Sequence, residues 1–314
     1  MRVLITGVAG FIGSNLAKAH LSQGDEVFGV DNFSTGKKRN LDALSGLQFI
    51  KSSVTDSIDM LPKEIEVVYH FASPASPEKY MAQAINTMEV NTVSTMALLR
   101  YCQARNARMV FASTSEIYGD PLVSPQKEEY WGNVNPIGPR SVYDEAKRFG
   151  ETIIAQFQRE SSVNAGILRI FNTYGPNMDP FDGRVVSNFI RQALLGRPLT
   201  IYGDGKQTRS FCYIDDLIRG IQAMGRSESK GPINLGNSEE RTLLELAELV
   251  LRITKSSSRM EYRDLPEDDP KRRCPDLSRA KNVLNWEPHE SLVSGIERTT
   301  NWMSDLIALE SLDA

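Results

Sequence analysis

Tyr143 and Lys147 stand four residues apart in a stretch with helical apolar spacing, which places both side chains on one face. A phenol ordinarily keeps its proton to about pH 10, too tightly for a base near neutrality. A neighbouring cation favours the phenolate, so the pair can draw a proton from a hydroxyl group. Upstream, Ser113-Thr114-Ser115-Glu116 closes an apolar run. Thr114 could hydrogen-bond the reacting hydroxyl there, and Glu116 could move a proton at carbon. The same four residues could instead form a turn whose side chains satisfy backbone groups.

A second constellation lies at the N-terminal end. Thr6-Gly7-Val8-Ala9-Gly10-Phe11-Ile12-Gly13 follows an apolar run and opens a helical pattern, with glycines spaced G-x-x-G-x-x-G. Glycine permits a tight turn and close backbone approach to a pyrophosphate, and a helix N-terminus offers N–H groups and a favourable dipole to an anion. Asp31 ends the next apolar run, about 20 residues beyond the loop, where a carboxylate accepts hydrogen bonds from ribose hydroxyls and repels a 2′-phosphate. That choice favours NAD over NADP. Lys37-Lys38-Arg39 follows; it reads as a solvated loop, with an extra-phosphate site as the alternative.

The elements that must hold these residues alternate. Strand-like runs at 3–6, 26–30, 67–72, 108–114 and 165–170 are separated by helical spacing over 12–22, 87–105 and 143–160. Such alternation predicts an α/β fold, a doubly wound parallel sheet of the Rossmann type with right-handed crossovers. From about residue 172 Gly/Pro punctuation loosens the pattern, with two helices expected between loops. Helical spacing returns at 243–253, and a charged loop over 265–276 precedes a last helical region ending near 309. The expected division is an NAD-binding domain over 1–171, rejoined by about 209–240, and a smaller C-terminal substrate-binding domain drawn mainly from 172–314.

Composition removes several function classes. With 40 Asp and Glu against 36 Lys and Arg in 314 residues, no broad positive field exists to attract nucleic acid or an anionic membrane. Cys102, Cys212 and Cys274 are distant and unpaired in pattern, which argues against a disulfide framework and a metal site. The N-terminal apolar run is too short for a signal-peptide core and no run reaches membrane-spanning length, so a cytoplasmic location is expected.

Longer strings carry a resemblance. Ser73-Pro74-Ala75-Ser76-Pro77, Ser113 through Pro121, Tyr130 through Arg140, Arg169 through Pro176, Gly183 through Phe189 and Asp268 through Asp276 resemble the extended short-chain dehydrogenase/reductase family, in its UDP-glucuronate decarboxylase (UDP-xylose synthase) branch. The likeness spans almost the whole chain. It implies that tyrosine takes the proton from sugar O4 while NAD takes the C4 hydride. The C6 carboxylate then lies β to a ketone and departs as carbon dioxide, and protonation at C5 with hydride return gives UDP-xylose.

By the same resemblance, Tyr143 is the base, Lys147 tunes it and holds ribose, Thr114 and Ser115 bind the reacting hydroxyl region, Glu116 handles protons near C5, and Arg273 steers the carboxylate-bearing ring. Read without the resemblance, Arg273 belongs to a solvated Lys271-Arg272-Arg273 run. The implied cofactor set adds Asn32, Ser34, Thr35 and Gly36 after Asp31, and Ala72, Ser73 and Asn91 further on. For the nucleotide sugar the implied residues are Tyr80, Asn172, Arg184, Val186, Asn188, Tyr202, Gln207 and Arg209, guanidinium groups being suited to phosphate. The sequence departs from the family pattern at Val142, Ala146 and Ser53, and at Asn86, where a substrate-side lysine is usual.

Three rival activities share parts of this pattern: a UDP-glucuronate 4-epimerase, a sugar-nucleotide 4,6-dehydratase and a non-catalytic dinucleotide sensor. Glu116 and the Tyr130–Arg140 string favour the decarboxylase, and the Tyr143/Lys147 pair disfavours the sensor. The resemblance also implies a homodimer, with 87–105 and 143–160 as its paired helices.

Overall fold

The computed structural model describes residues 1–265 and 272–312. Its first half is built from β1 (Arg2–Thr6), α1 (Phe11–Ser22), β2 (Glu26–Asp31), β3 (Gln48–Lys51), α2 (Val54–Ser57), β4 (Val67–His70), α3 (Pro77–Ala82), α4 (Ala84–Arg105), β5 (Arg108–Thr114), α5 (Ser141–Ser161) and β6 (Ala165–Ile170). There follow β7 (Thr173–Tyr174), α6 (Val185–Leu194), β8 (Leu199–Tyr202), β9 (Thr208–Ser210), β10 (Cys212–Tyr213), α7 (Ile214–Arg226) and β11 (Ile233–Leu235). The chain ends with β12 (Glu240–Thr242), α8 (Leu243–Thr254), β13 (Met260–Arg263), β14 (Arg272–Arg273), α9 (Ser278–Leu284) and α10 (Leu292–Leu312).

Seven strands form one sheet in the order β11-β6-β5-β4-β1-β2-β3, and every pairing in it is parallel. Val3, Leu4 and Ile5 of β1 and all of β5 are buried, as a central strand covered by helices on both faces requires. The order reverses between β1 and β4, and an open α/β sheet offers its ligand crevice at that reversal, outside the carboxyl ends of the strands. Gly7, Asp31, Ala72 and Thr114 are all delivered to that edge.

Three differences between sequence and structure bear on the site, each for a physical reason. The run over 67–72 stops being a strand at His70, because Phe71 and Ala72 turn away to bond Thr6, Ala72 N–H donating to Thr6 Oγ1 at 3.2 Å. Strand β3 was unforeseen: it is a short edge strand with no fully buried residue, and an edge strand of that kind shows no apolar alternation. The charged loop over 265–276 contains β14, which pairs in parallel with β9 and sets Arg273 beside Arg209. Asp268, Asp269, Pro270 and Lys271 lie outside the described residues.

The C-terminal half packs α6, α8 and α10 with β8 and β13 around Phe189, Leu199, Leu246 and Met303, in one apolar cluster with β1 and α1. A capping box starts α8: the Thr242 hydroxyl accepts Glu245 N–H while Glu245 reaches back to Thr242 N–H. Among the described residues no helix is long and apolar enough to cross a membrane.

Helices α4 and α5 lie side by side and bring the Tyr143/Lys147 face against the sheet. Their approach depends on Gly150: a methyl there would sit 2.9 Å from the Asn91 carbonyl oxygen and 2.7 Å from the Phe111 ring. Neither the backbone nor a ring at the centre of the sheet can yield cheaply. Gly150→Ala is therefore expected to destabilise the protein by about 1–3 kcal/mol, read as a thermal midpoint lowered by several degrees; an unchanged midpoint would show that the helices part freely.

Candidate active site

Three clefts run together along the carboxyl edge of the sheet. The first is lined by Gly7, Gly10, Asp31, Asn32, Ser34, Thr35, Gly36, Ala72 and Ser73, with Ser53, Asp56 and Asn86 opposite. Gly7 takes φ +74°, and a side chain there would come within 2.8 Å of the Ala72 backbone. Helix α1 starts from Gly10 with no side-chain cap, so its first N–H groups are left for a ligand. Asp31 accepts N–H bonds from Ala9 at 2.9 Å and Phe33 at 2.7 Å. Burial raises its carboxyl above the usual range, and those two bonds oppose the rise. A bare helix start, a turn without room for a methyl and a fixed carboxylate at the second strand end together fit a dinucleotide.

The second cleft carries Thr114, Ser115, Glu116, Tyr143 and Lys147, with Phe11 and Ile12 on its other wall. Strand β5 ends at Thr114, whose hydroxyl accepts Glu116 N–H and lies near enough to the Tyr143 phenol to favour its ionised form. Helix α5 brings Tyr143 and Lys147 to the same wall, with the Lys147 ammonium 5.7 Å from the Tyr143 ring centre and donating to Ala112 O at 2.6 Å. Burial pushes Lys147 down to about 7. Burial and the Glu116 carboxylate push the Tyr143 phenol up, against the Thr114 hydroxyl and the Arg184 charge. In the protein alone the phenol is therefore neutral, and any phenolate needs further positive charge beside it.

Glu116 is half-buried and bound by two guanidinium groups. Arg273 donates through Nη1 at 2.5 Å and Nη2 at 3.0 Å, and Arg140 through Nη2 at 2.6 Å. Burial alone would raise this carboxyl, but Arg273 and then Arg140 hold it well below the usual carboxylate range. The solvated reading of Arg273 is thus corrected: Arg273 is buried at 6 % exposure, while Arg272 stays in water and pairs with Glu240 at 2.8 Å.

The third cleft opens beyond Glu116 and is lined by Asn172, Arg184, Val186, Asn188, Tyr202, Gln207, Arg209 and Arg273, together with Arg140 and Arg191. Loops, strands and helices of the second half contribute, and Asp182 binds Arg184 through both carboxylate oxygens. So many guanidinium groups around one cavity suit an anionic ligand.

Two of the expected residues line none of these clefts. Asn91 stands behind Ser73, donating to its hydroxyl at 2.9 Å, and so reaches the first cleft only through that serine. Tyr80 is buried behind Tyr143, its ring stacked parallel at 4.9 Å between centroids. Asn86 faces the first cleft, on the dinucleotide side, and is absent from the lining of the arginine-rich third cleft.

Sequence reasoning missed Arg140 and a strap between the halves. Arg140 closes the Tyr130–Arg140 segment, whose spacing carries no sign of a contact with Glu116. The strap is Asp179, which accepts from Lys79 at 2.7 Å and pairs with Lys37 at 3.3 Å. Beside it Asn40 donates to Asn177 O at 3.3 Å and Asn15 to Pro176 O at 3.0 Å. Lys37 is thereby turned toward the rim of the second cleft.

Behind the Thr114–Glu116 turn, Arg169 holds Glu151 through Nε at 2.9 Å and Nη2 at 2.7 Å and also donates to the Tyr118 hydroxyl. Ser113 completes the group by donating to Glu151 at 2.6 Å.

Residues 3–236 match the model of the NAD dependent epimerase/dehydratase family. UDP-glucuronic acid decarboxylase 1 of Danio rerio is 46% identical over 303 residues, 96% of this chain and 72% of the relative. UDP-glucuronic acid decarboxylase 1 of Arabidopsis thaliana is 47% identical over 298 residues, 95% of this chain and 68% of the relative. Among solved structures, UDP-glucose 4-epimerase of Thermotoga maritima with UDP-glucose superposes with a TM-score of 0.90 at 29% identity, covering 98% of this chain and 100% of that one. UDP-glucuronic acid 4-epimerase of Bacillus cereus, in complex with UDP-glucuronic acid and NAD, gives 0.88 at 31% identity with the same coverages.

Removing Arg169 would leave the half-buried Glu151 carboxylate with the Ser113 hydroxyl in place of a cation. Arg169→Met is expected to cost about 3–5 kcal/mol, measured as a lowered urea midpoint, whereas a shift below experimental error would show that Glu151 finds another partner.

Proposed function

The chain belongs to the NAD dependent epimerase/dehydratase family, and on that premise we propose that it decarboxylates UDP-glucuronate to UDP-xylose or UDP-4-keto-pentose. The observation that carries this reading is Glu116 bound between Arg140 and Arg273 on the wall shared by the tyrosine cleft and the arginine-rich cleft. Loss of carbon dioxide leaves C5 in need of a proton, which a 4-epimerase never has to supply. An acid/base beside Tyr143 answers that need, and the two decarboxylases cover this chain at 46% and 47% identity.

Gly7, Gly10, Phe11, Ile12, Asp31, Asn32, Ser34, Thr35, Gly36, Ala72 and Ser73 would hold NAD, with Asn91 fixing Ser73. When bound, NAD supplies a hydride acceptor for sugar C4 and, oxidised, a positive ring that favours phenolate. Tyr143 accepts the O4 proton, Thr114 and Ser115 orient that hydroxyl, and the Lys147 ammonium stabilises the phenolate. Glu116 delivers a proton at C5. Arg184 and Arg209 bind the diphosphate, while Asn172, Val186, Asn188, Tyr202 and Gln207 enclose the nucleotide. Tyr80 acts by backing Tyr143.

A homodimer accompanies this reading. Ile85 and Val93 on α4 and Phe149 on α5 are apolar and exposed at 65%, 48% and 55%. A matching face on a second copy would cover them in an isologous contact. Three buried free thiols agree with a cytoplasmic setting.

The decisive assay mixes the protein with NAD and UDP-glucuronate and follows carbon dioxide and product mass. Unchanged mass with inverted C4 would make the protein an epimerase, and loss of water a dehydratase. Tyr143→Phe should lower turnover by roughly 10²–10⁴ or more with NAD affinity nearly intact. In Glu116→Gln the oxidised sugar should accumulate; a variant that fails before oxidation would remove Glu116 from the C5 step. Phe149→Glu should move the protein from dimer to monomer in sedimentation, and a species already monomeric without the change would sink the dimer.

A further inference from the structure

Arg140 and Arg273 reach Glu116 from two different parts of the chain, the start of α5 and β14, and all three side chains line the sugar cavity. Any carboxylate entering that cavity meets the same two cations that Glu116 already occupies. Two carboxylates cannot both be satisfied there without one losing bonds, and the one that loses them becomes more basic in a site where most of its surface faces protein.

We propose that the substrate's C6 carboxylate displaces Glu116 from Arg140 and Arg273, and that the released Glu116 takes up a proton from solvent. The idea rests on the reading of this cavity as a uronate site and adds to it a reason for the second arginine. Glu116 would thus be loaded as an acid only when a uronate is bound.

The exchange closes on itself. After oxidation at C4 the C5–C6 bond breaks, carbon dioxide leaves, and the bonding pair enters the C4 carbonyl as an enolate. Glu116 gives its proton to C5, the pair returns as a C5–H bond, and the C4 ketone is restored. Arg140 and Arg273, having just lost the substrate's charge, recover Glu116 as a carboxylate. Across the cycle the two guanidinium groups exchange one carboxylate for another, and between the two the negative charge lies on the enolate until C5 is protonated.

Other ionisable groups face Glu116. Tyr143 and Asp144 come from α5, Tyr80 from α3, and Arg184 from the start of α6. Burial keeps both phenols neutral near pH 7, and Arg184 stays charged. Asp144 is the competing proton acceptor, since burial and Glu116 raise its carboxyl and one of its oxygens has no hydrogen-bond partner.

The test counts protons. UDP-glucuronate is titrated into NAD-loaded Tyr143→Phe protein near neutral pH, in buffers of different ionisation enthalpy, with UDP-glucose as the ligand lacking the carboxylate. Uptake of about one proton per site is expected for the uronate and none for UDP-glucose. Glu116→Gln in that background should abolish the uptake while the uronate still binds, and Arg140→Gln should weaken uronate binding at least roughly tenfold with little effect on UDP-glucose. Zero uptake, or uptake that survives Glu116→Gln and so belongs to Asp144, overturns the proposal. A measurement on the unmodified enzyme needs no variant: above neutrality the KM for the uronate should rise by up to about tenfold per pH unit, with the UDP-glucose inhibition constant flat. Equal pH slopes would overturn it too. Failure of the decarboxylase reading shows separately, as no carbon dioxide from the unmodified enzyme.

Discussion

A charge taken out of water has to find its opposite, and this constraint arranges the whole face that carries the site. Lys147 is buried at 3% exposure and held by the Ala112 carbonyl; Glu116 is held by Arg140 and Arg273; Glu151 by Arg169; Asp182 by Arg184. Apart from Asp182 and Arg184, which are neighbours in one loop, each contact ties together separate elements of the chain, so the same contacts that make burial tolerable also fix the reacting groups. Arg273 and Glu116 are 157 residues apart, and their bond brings β14 from the C-terminal half against the end of β5. The chemistry and the assembly of the two halves thus share one set of bonds.

The parallel sheet supplies the other half of the geometry. Because its strands all point one way, the turns after β1, β2, β4 and β5 open on one edge, and the residues there meet whatever lies along it. Helix α5 then crosses beside that edge and adds Tyr143 and Lys147 from its buried face. A tyrosine on a helix and a threonine on a strand end line the same cleft because Gly150 lets the helix settle close.

What the sequence disclosed follows from periodicity. Gly7 to Gly13, Asp31, Thr114 and the Tyr143/Lys147 pair all stand at strand ends or at helical spacing, and such positions can be located by counting. Helices α1, α4, α5 and α8 begin and end within about three residues of their expected limits, helix ends being soft by a residue or two. Arg140 was invisible because it reaches Glu116 from an irregular loop, which has no period to read. Asn91 and Tyr80 were placed against ligands, but they lie one layer further back, a distinction that depends on side-chain direction and cannot be read from residue type. Arg273 sat in a basic run that reads as solvated; only pairing with β9 decides that Arg273 turns inward and Arg272 outward.

The strap of Lys37, Lys79 and Asp179, with Asn15, Asn40 and Asn177 beside it, crosses the rim of the dinucleotide-side cleft. A ligand bound beneath it would exchange only as those bonds open, which slows entry and escape alike. For an ordinary dehydrogenase, whose coenzyme departs in altered form after each cycle, such confinement would throttle throughput. For a reaction that returns its electron carrier to the starting oxidation state, it costs nothing, and the carrier becomes in effect a resident part of the protein.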